Sequence, residues 1–184
     1  AATPDPDATL LELTRVSDSL GGKAVLWELF SFHPASLKLF VHLCATSPYL
    51  TNILTSNPGM ADELLDSLML DKLPSLESME AILSELCRGA EDLEPILHSF
   101  KNSMHLRVGV RDILGKEDIR RTHQALSDVA EVCLQQLTLR EYLRLVERYG
   151  EPTIGVSANG ETPSGPVPAS SEFWASDPMF LGFS

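Results

Sequence analysis

The stretch LHSFKNSMHLRVGVRDILG, residues 97–115, decides the fold of this chain. At the ~100° per residue of an α-helix, its first half shows one narrow apolar stripe, and Arg107 and Arg111 fall within that stripe. The stripe residues are Leu93, Leu97, Phe100 and Met104, and the far side of the second half carries Leu106, Val110 and Ile113. A helix that is apolar nearly all round is buried within a larger body. The segment is therefore predicted to be the central helix of an all-helical module.

Arg107 and Arg111 require partners if this helix is buried. Burying a charge without a partner loses hydration free energy that nothing in the protein replaces. Two arginines four residues apart on a helix also repel each other mildly. We therefore expect carboxylates from another element to pair with both. A buried structural network is favoured over an interdomain contact or an anion site, because no phosphate-binding loop accompanies the pair.

The residues before this helix predict a series of shorter helices. Asp7 is the expected N-cap of a first helix that ends at Leu20, and a second helix follows from Lys23 to Phe32. Three X-Pro steps then predict helix starts, because proline suits the first helical position. These predicted helices span about 34–45, 48–56 and 58–68.

Two further helices are predicted on either side of the central one. Ser75 should cap a helix that runs to Cys87, with four inward residues, and another should start near Glu117. The predicted inward residues of the first are Met79, Ile82, Leu83 and Leu86. The second carries a single stripe of Ile119, His123, Leu126, Ala130, Cys133 and Leu137. Because that stripe stops at Leu137 and Thr138 opens a capping-box pattern, we predict a kink or break there and a last helix to Tyr149.

The expected fold class is an all-α helical bundle of about eight or nine helices over residues 1–150. Residues 151–184 are rich in Gly, Pro and Ser and are predicted to be a linker or tail. The apolar run 179–183 has the pattern of the first half of a terminal strand. A lone strand is not stable, so the tail is expected to lead into a further domain outside this sequence.

Composition excludes several functional classes. The chain has 184 residues, with 14 Lys and Arg against 26 Asp and Glu, so its net charge is −12. That balance argues against a general nucleic-acid or anionic-membrane binder.

The N-terminus lacks the basic and apolar parts of a signal peptide, and no apolar run reaches the ~20 residues of a membrane span, which favours the cytoplasm. Cys44, Cys87 and Cys133 are predicted to be reduced core thiols.

A search for catalytic and metal-binding patterns finds none that is specific. The histidines and cysteines match no usual metal-ligand spacing, and no G-x-S-x-G motif surrounds a serine. The glycine pair at 21–22 follows a helix rather than a strand, so a helix end is favoured over a phosphate cradle. The Asp5-Pro6-Asp7 string lies in a terminal segment and carries little weight as a Mg²⁺ site. No catalytic, cofactor-binding or metal-binding residue is assigned.

Four segments in series carry a resemblance to a known family. SPYLTNILTSNPGMADELLDSL (47–68) resembles a segment of the form S-P-x-L, a short helix, then x-P-x-x-x-D-E-L-L-D. FKNSMHLRVGVRDILG (100–115) is similar to F-K/R-x-x-x-L-R-I-A-x-R-D-L-L-G. HQALSDVAEVCL (123–134) and RYGEP (148–152) resemble L-S-D-L-A-E-A-C-L and R-Y/H-G-x-P. All four occur in this order in bifunctional glutamine synthetase adenylyltransferase/adenylyl-removing enzymes, and the match covers most of residues 10–152.

The resemblance implies a parent enzyme with two nucleotidyltransferase halves, each preceded by helices. One half transfers AMP from ATP to a tyrosine of glutamine synthetase, the other removes it by phosphorolysis, and the PII signal protein and glutamine set the balance. The family's G-K-L-G-G and S-D-x-D segments, which hold Mg²⁺ and ATP, have no counterpart in this sequence. The residues that match the family pattern as a structural or interdomain signature are Lys101, Arg107, Arg111, Asp112 and Gly115.

The chain is therefore expected to be a non-catalytic central or regulatory helical fragment that precedes the second, adenylylating half. Glutamine synthetase, PII and the catalytic halves are then partners of the parent enzyme, and Mg²⁺ and ATP its cofactors. The alternative is a free-standing all-helical protein-interaction module. The least favoured hypothesis is that this chain is itself an enzyme.

Overall fold

The structure is a computed structural model that describes residues 3–20, 23–61 and 72–152. These ranges contain seven α-helices and no strand, which confirms the all-α class. The helices are α1 Pro6–Ser19, α2 Lys23–Phe32, α3 Pro34–Thr46, α4 Pro48–Ser56, α5 Leu76–Cys87, α6 Glu94–Ile113 and α7 Ile119–Tyr149. Most of the helix predicted at 58–68, and the strand predicted at 179–183, lie outside the described residues.

Side-chain caps start α1, α4 and α5. Asp5, rather than the predicted Asp7, caps α1: its Oδ1 accepts a hydrogen bond from the amide three residues later at 3.0 Å. Ser47 and Ser75 cap α4 and α5 as predicted, each with an Oγ to amide distance of 3.3 Å. Each cap satisfies one of the amides that the first helical turn leaves without an intrahelical partner.

Of the kink or break predicted at Thr138, the break is wrong, because α7 is a single helix of 31 residues that continues past this position. The segment after Thr138 is rich in leucine, arginine and glutamate, which favour the helix, and Arg144 pairs with Glu141 one turn earlier at 2.7 Å. A change of apolar face does not by itself break a helix, and Leu139, Leu143 and Leu145 after Thr138 are exposed. The described helices are thus fewer than predicted, in part because two predicted helices are one.

Contacts between Cα atoms divide the chain into two compact units, residues 1–136 and residues 137–184. The first unit contains two hydrophobic cores. The first core comprises Leu13, Val16, Phe30, Leu39, Phe40, Leu43, Cys44, Leu50, Ile53, Leu54, Met60, Leu106 and Val110. The second core comprises Met79, Leu83, Cys87, Leu93, Phe100, Met104, Val129 and Val132.

Helix α6 belongs to both cores and uses two different faces to do so. Phe100 and Met104 pack in the second core, whereas Leu106 and Val110, about a third of a turn round the helix, pack in the first. This arrangement explains why the second half of α6 is apolar nearly all round. The prediction that this segment is the central helix of the module is confirmed.

The predicted inward faces of α5 and α7 are partly wrong. On α5, Met79 and Leu83 are buried, but Ile82 and Leu86 are 43% and 52% exposed. On α7, the buried residues are Thr122, Ala125, Val129 and Val132, whereas most of the predicted stripe is exposed. In both helices the core contacts a strip beside the predicted one. Periodicity identifies apolar strips, but it does not show which of two adjacent strips meets the core.

Gly109 of α6 lies against Leu50 of α4. A Cβ at this position would overlap Leu50 Cδ1 and would lie 3.1 Å from its Cδ2. Leu50 is buried in the first core and has little room to move. Gly109 therefore permits the two backbones to pack at this distance, although glycine is unfavourable within a helix.

Gly109→Val is expected to lower the free energy of unfolding by about 2 kcal/mol, because overpacking a filled core forces side chains and backbone to shift. The measurement is urea denaturation followed by circular dichroism. The control is Ser99→Val on the exposed side of the same helix, which should change stability by about 0.5 kcal/mol or less. Equal effects of the two substitutions would show that Gly109 is not a packing position.

Candidate functional site

The connection between α6 and α7 brings together three of the five signature residues. Helix α6 ends in a left-handed glycine, Gly115, whose φ is +64°. Its N–H donates to the carbonyl of Asp112 at 2.9 Å, and the next N–H, that of Lys116, donates to the carbonyl of Arg111 at 2.9 Å. These two bonds form a Schellman motif, which ends α6. The motif turns the chain back towards the side chain of Arg111.

Arg111 forms a buried ion pair in this turn. Its Nε and Nη2 donate to Oε1 of Glu117 at 2.9 Å and 2.6 Å, and the two side chains are only 6% and 11% exposed. A carboxylate pairs with Arg111 as predicted, but it comes from the turn that follows α6 rather than from another helix. Arg121 lies 3.9 Å from the other oxygen of Glu117 but is itself 78% exposed. Charge-assisted hydrogen bonds of this kind are strong where water is excluded.

A second polar contact joins the same two helices. Thr122 Oγ1 lies 3.1 Å from Oδ1 of Asp112, to which it donates, and 3.2 Å from the carbonyl of Asp118. Asp118 in turn caps α7 by accepting a hydrogen bond from an amide three residues later at 2.8 Å. We refer to Arg111, Asp112, Glu117 and Thr122 as the clamp. It fixes the end of α6 to the start of α7 through two side-chain contacts.

The other two signature residues, Lys101 and Arg107, lie further back along α6 and are both half-buried. Burial lowers the pKa of His105, and the charge of Lys101 lowers it further. His105 Nδ1 lies 2.7 Å from the hydroxyl of Tyr49, which ties α6 to α4. The signature residues therefore lie on either side of His105, which contacts α4, and at the end of α6 that contacts α7.

Sequence reasoning missed Glu117, Thr122 and the contact between Tyr49 and His105. Glu117 could have been found, because a Schellman turn places the residue two positions after its glycine beside the last turn of the helix. Thr122 could not, because a threonine on a helix gives no sign of which carboxylate it will meet. Tyr49 and His105 are 56 residues apart, and no local pattern connects them.

Cys44 is a buried thiol of the first core, and Cys87 is buried in the second. Burial raises the pKa of Cys44 to about 11; Thr51 lowers the pKa by a hydrogen bond, and the charge of Glu12 raises it. Burial also raises the pKa of Cys133, which is half-buried. Thiols with raised pKa values are poor nucleophiles, which agrees with their interpretation as core residues.

Cys44 is expected to resist iodoacetamide at pH 8 in the folded protein, because about one molecule in a thousand carries the thiolate at a pKa of about 11. Mass spectrometry of tryptic peptides measures the modified fraction over time. The control is the same reaction in urea, where Cys44 should be modified as fast as a free thiol. Rapid modification without urea would show that this thiol is exposed or activated.

Within the described ranges, no group of three or more His, Cys, Asp and Glu side chains could hold a metal ion. Asp5, of the Asp5-Pro6-Asp7 string, is occupied as a helix cap. His98 lies on the exposed side of α6, 3.9 Å from Glu94. A membrane-spanning helix, with the necessary length and apolar character, is likewise not found in the part of the chain that the structure describes.

The comparisons with known proteins agree with the resemblance seen in the sequence. The family model described as glutamate-ammonia ligase adenylyltransferase matches residues 37–162, which include the clamp and both of its helices. A bifunctional glutamine synthetase adenylyltransferase/adenylyl-removing enzyme from Thioalkalivibrio sulfidiphilus is 31% identical over 157 residues, which are 83% of this chain but 16% of that protein. No solved structure matches the chain. The chain belongs to the glutamate-ammonia ligase adenylyltransferase family.

Proposed function

We propose that this chain is a non-catalytic helical part of an enzyme that adenylylates and deadenylylates glutamine synthetase. The clamp is the observation that carries the proposal. It lies within the family-matched residues, its Arg111 and Thr122 are buried, and its polar groups bond to one another rather than line an open site. Such an arrangement supports a role in positioning helices rather than in acid–base or nucleophilic chemistry.

The chemistry of the whole enzyme then belongs to residues outside this chain. The relative's name states that it acts on glutamine synthetase in both directions, and the chain spans 16% of its length. ATP and Mg²⁺ bind to the parent enzyme through G-K-L-G-G and S-D-x-D segments, which this sequence does not contain. We place the parent in the cytoplasm, with glutamine synthetase as its substrate and PII as its regulatory partner.

The part played by this chain would be mechanical. A regulatory signal changes activity only if the effector binds two arrangements of the protein with different affinity. The clamp fixes α6 to α7, so the direction of α7 follows the packing of α6 between the two cores. An effector or catalytic half that contacts either core would thereby shift the balance between the two reactions.

The first test is an AMP-transfer assay. The purified chain, incubated with radiolabelled ATP, Mg²⁺ and glutamine synthetase, is expected to transfer no AMP, whereas the full-length relative serves as the positive control. Transfer by the chain alone would overturn the proposal.

The second test places Thr122→Val in the full-length parent. This change removes the hydroxyl that contacts Asp112 and keeps the side-chain volume. The response of AMP transfer to PII and glutamine is expected to shift, while the unregulated rate stays within about twofold. The control is Thr14→Val on the exposed side of α1. Unchanged regulation with Thr122→Val would show that the clamp supports folding alone.

A free-standing interaction module remains the second candidate, and the exposed apolar residues of α7 favour it. The two candidates differ in the coding sequence after Ser184. A K-L-G-G segment followed by S-D-x-D supports the enzyme fragment, and a stop codon directly after Ser184 supports the module.

A further inference from the structure

The Tyr49–His105 contact joins the start of α4 to the middle of α6. The Tyr49 hydroxyl lies 2.7 Å from Nδ1 of His105, and the two ring centroids lie 5.8 Å apart, with the ring planes at 55°. The next residue of α4, Leu50, packs against Gly109, one turn further along α6. The polar contact therefore lies beside the packing of α4 on α6 in the first core, so a change at His105 acts on a packed part of the molecule.

The direction of this hydrogen bond depends on the charge of the imidazole. A neutral ring with its proton on Nε2 accepts the Tyr49 hydroxyl at Nδ1, whereas a protonated ring has no lone pair there and can only donate. Tyr49 is 52% exposed, so its hydroxyl can turn to water instead. Protonation therefore ends the donation from tyrosine to histidine and places a positive charge between α4 and α6.

The surroundings of His105 disfavour that charge. The ring is half-buried, and Lys101 precedes it by one turn on the same side of α6. Helix α4 offers no compensating carboxylate, because Tyr49 is its single titratable side chain. Burial lowers the pKa of His105 below its ordinary value of 6.5, and the charge of Lys101 lowers it further, as expected for a cation that loses water and gains a like charge.

The other helices that pack against α6 do not reverse this effect. Helix α3 carries two cationic or titratable side chains, Lys38 and His42, and both are exposed. The titratable groups of α3, α5 and α7 within residues 1–136 that are buried or half-buried are Cys44, Glu80, Cys87, Asp128 and Cys133. The three thiols are neutral in the pH range in which a histidine titrates. Neither carboxylate offsets burial and the charge of Lys101, since the pKa of His105 is lowered in their presence.

We propose that the Tyr49–His105 contact is a pH-sensitive link between α4 and α6, which holds while the imidazole is neutral and weakens when it is protonated. The folded ring binds a proton less readily than the unfolded one. The stability that the contact contributes is therefore complete above about pH 6.5 and falls as the pH decreases below that value, until the folded ring is protonated as well. The inference concerns this chain alone and does not depend on the proposed function.

The first test compares the urea midpoints of the wild-type chain and of His105→Gln at about pH 7.5 and about pH 5.5. The amide oxygen of glutamine can accept the Tyr49 hydroxyl, but it does not titrate. The wild-type midpoint should fall between the two pH values, and His105→Gln should reduce that fall. The matched control is His98→Gln on the same helix, where 63% of the side chain is exposed, and it should leave the fall as in the wild type.

Hydrogen exchange followed by mass spectrometry locates the change. After correction for the intrinsic pH dependence of exchange, α4 should exchange severalfold faster at the lower pH in the wild type, but not in His105→Gln. Helix α5, which packs in the second core, should show no such acceleration and serves as the internal reference. Equal acceleration of α4 and α5 would contradict the inference, because the acid effect would then be global.

An NMR titration of the His105 ring needs no variant and so remains decisive if His105→Gln folds poorly. The ring is expected to titrate below pH 6.5, and Lys101→Met, which keeps the side-chain length and removes the charge, should move the titration upward. A wild-type ring that titrates at pH 6.5 or above would overturn the inference. So would a fall of the urea midpoint that is the same in the wild type and in His105→Gln. None of these measurements involves AMP transfer, so their failure is distinguishable from failure of the proposed function.

Discussion

Arg111→Ala is expected to lower the free energy of unfolding by about 3–5 kcal/mol, because it leaves the Glu117 carboxylate buried without its cation. Arg111 is 5% exposed, so water does not replace the lost partner without opening the turn. The measurement is the midpoint of urea denaturation, at unchanged m value, followed by circular dichroism. A loss of this size is a large part of the stability of an ordinary domain.

Arg121→Ala is the matched control for this prediction. It removes a cation that lies 3.9 Å from the same carboxylate, but Arg121 is 78% exposed, so the expected change is about 0.5 kcal/mol or less. An equal decrease in the free energy of unfolding for the two variants would mean that the turn is open to solvent and that burial does not strengthen the ion pair of Arg111.

A double variant separates the ion pair from the volume of its side chains. Arg111→Met combined with Glu117→Gln keeps both chains long and removes both charges. It should be more stable than the sum of the two single variants predicts, since no charge is left buried alone. If the stability decreases of the two single variants add up to that of the double variant, the arginine and the glutamate act independently. The clamp would then not be one unit.

The sequence predicted the central helix and the need of Arg111 for a carboxylate, although not Glu117 itself, because both follow from local rules. Periodicity locates a buried helix, and a buried charge requires an opposite charge nearby. The sequence did not predict that α6 packs in two cores with two different faces, although a helix that is apolar nearly all round is typical of such packing. It also placed the core on the wrong strip of α7, because contacts between distant helices decide which apolar strip is covered.

The break predicted at Thr138 illustrates a different limit. The capping-box pattern and the change of apolar face both suggested a new helix, yet residues after Thr138 have strong helix propensity and continue α7. A capping pattern starts a new helix only where another feature ends the preceding helix. Gly115 is such a feature, because glycine adopts the left-handed conformation that ends α6.

Leu106→Ala and Phe100→Ala are each expected to lower the free energy of unfolding by about 3 kcal/mol or more. The two substitutions should weaken different parts of the molecule. Leu106 is fully buried in the first core, and Phe100 is buried in the second. Hydrogen exchange followed by mass spectrometry should therefore show faster exchange in α1–α4 for Leu106→Ala, and in α5 for Phe100→Ala. Local opening of this kind reports which contacts stabilise each segment.

Leu11→Ala provides the baseline, since this exposed leucine should change stability by about 0.5 kcal/mol or less. If both core variants accelerate exchange equally throughout α1–α5, the two cores unfold as one cooperative body. The proposed mechanical role requires the opposite result. A helix can relay a change from one core to another only if each core can rearrange while the other stays packed, and α6 is the element that both cores share.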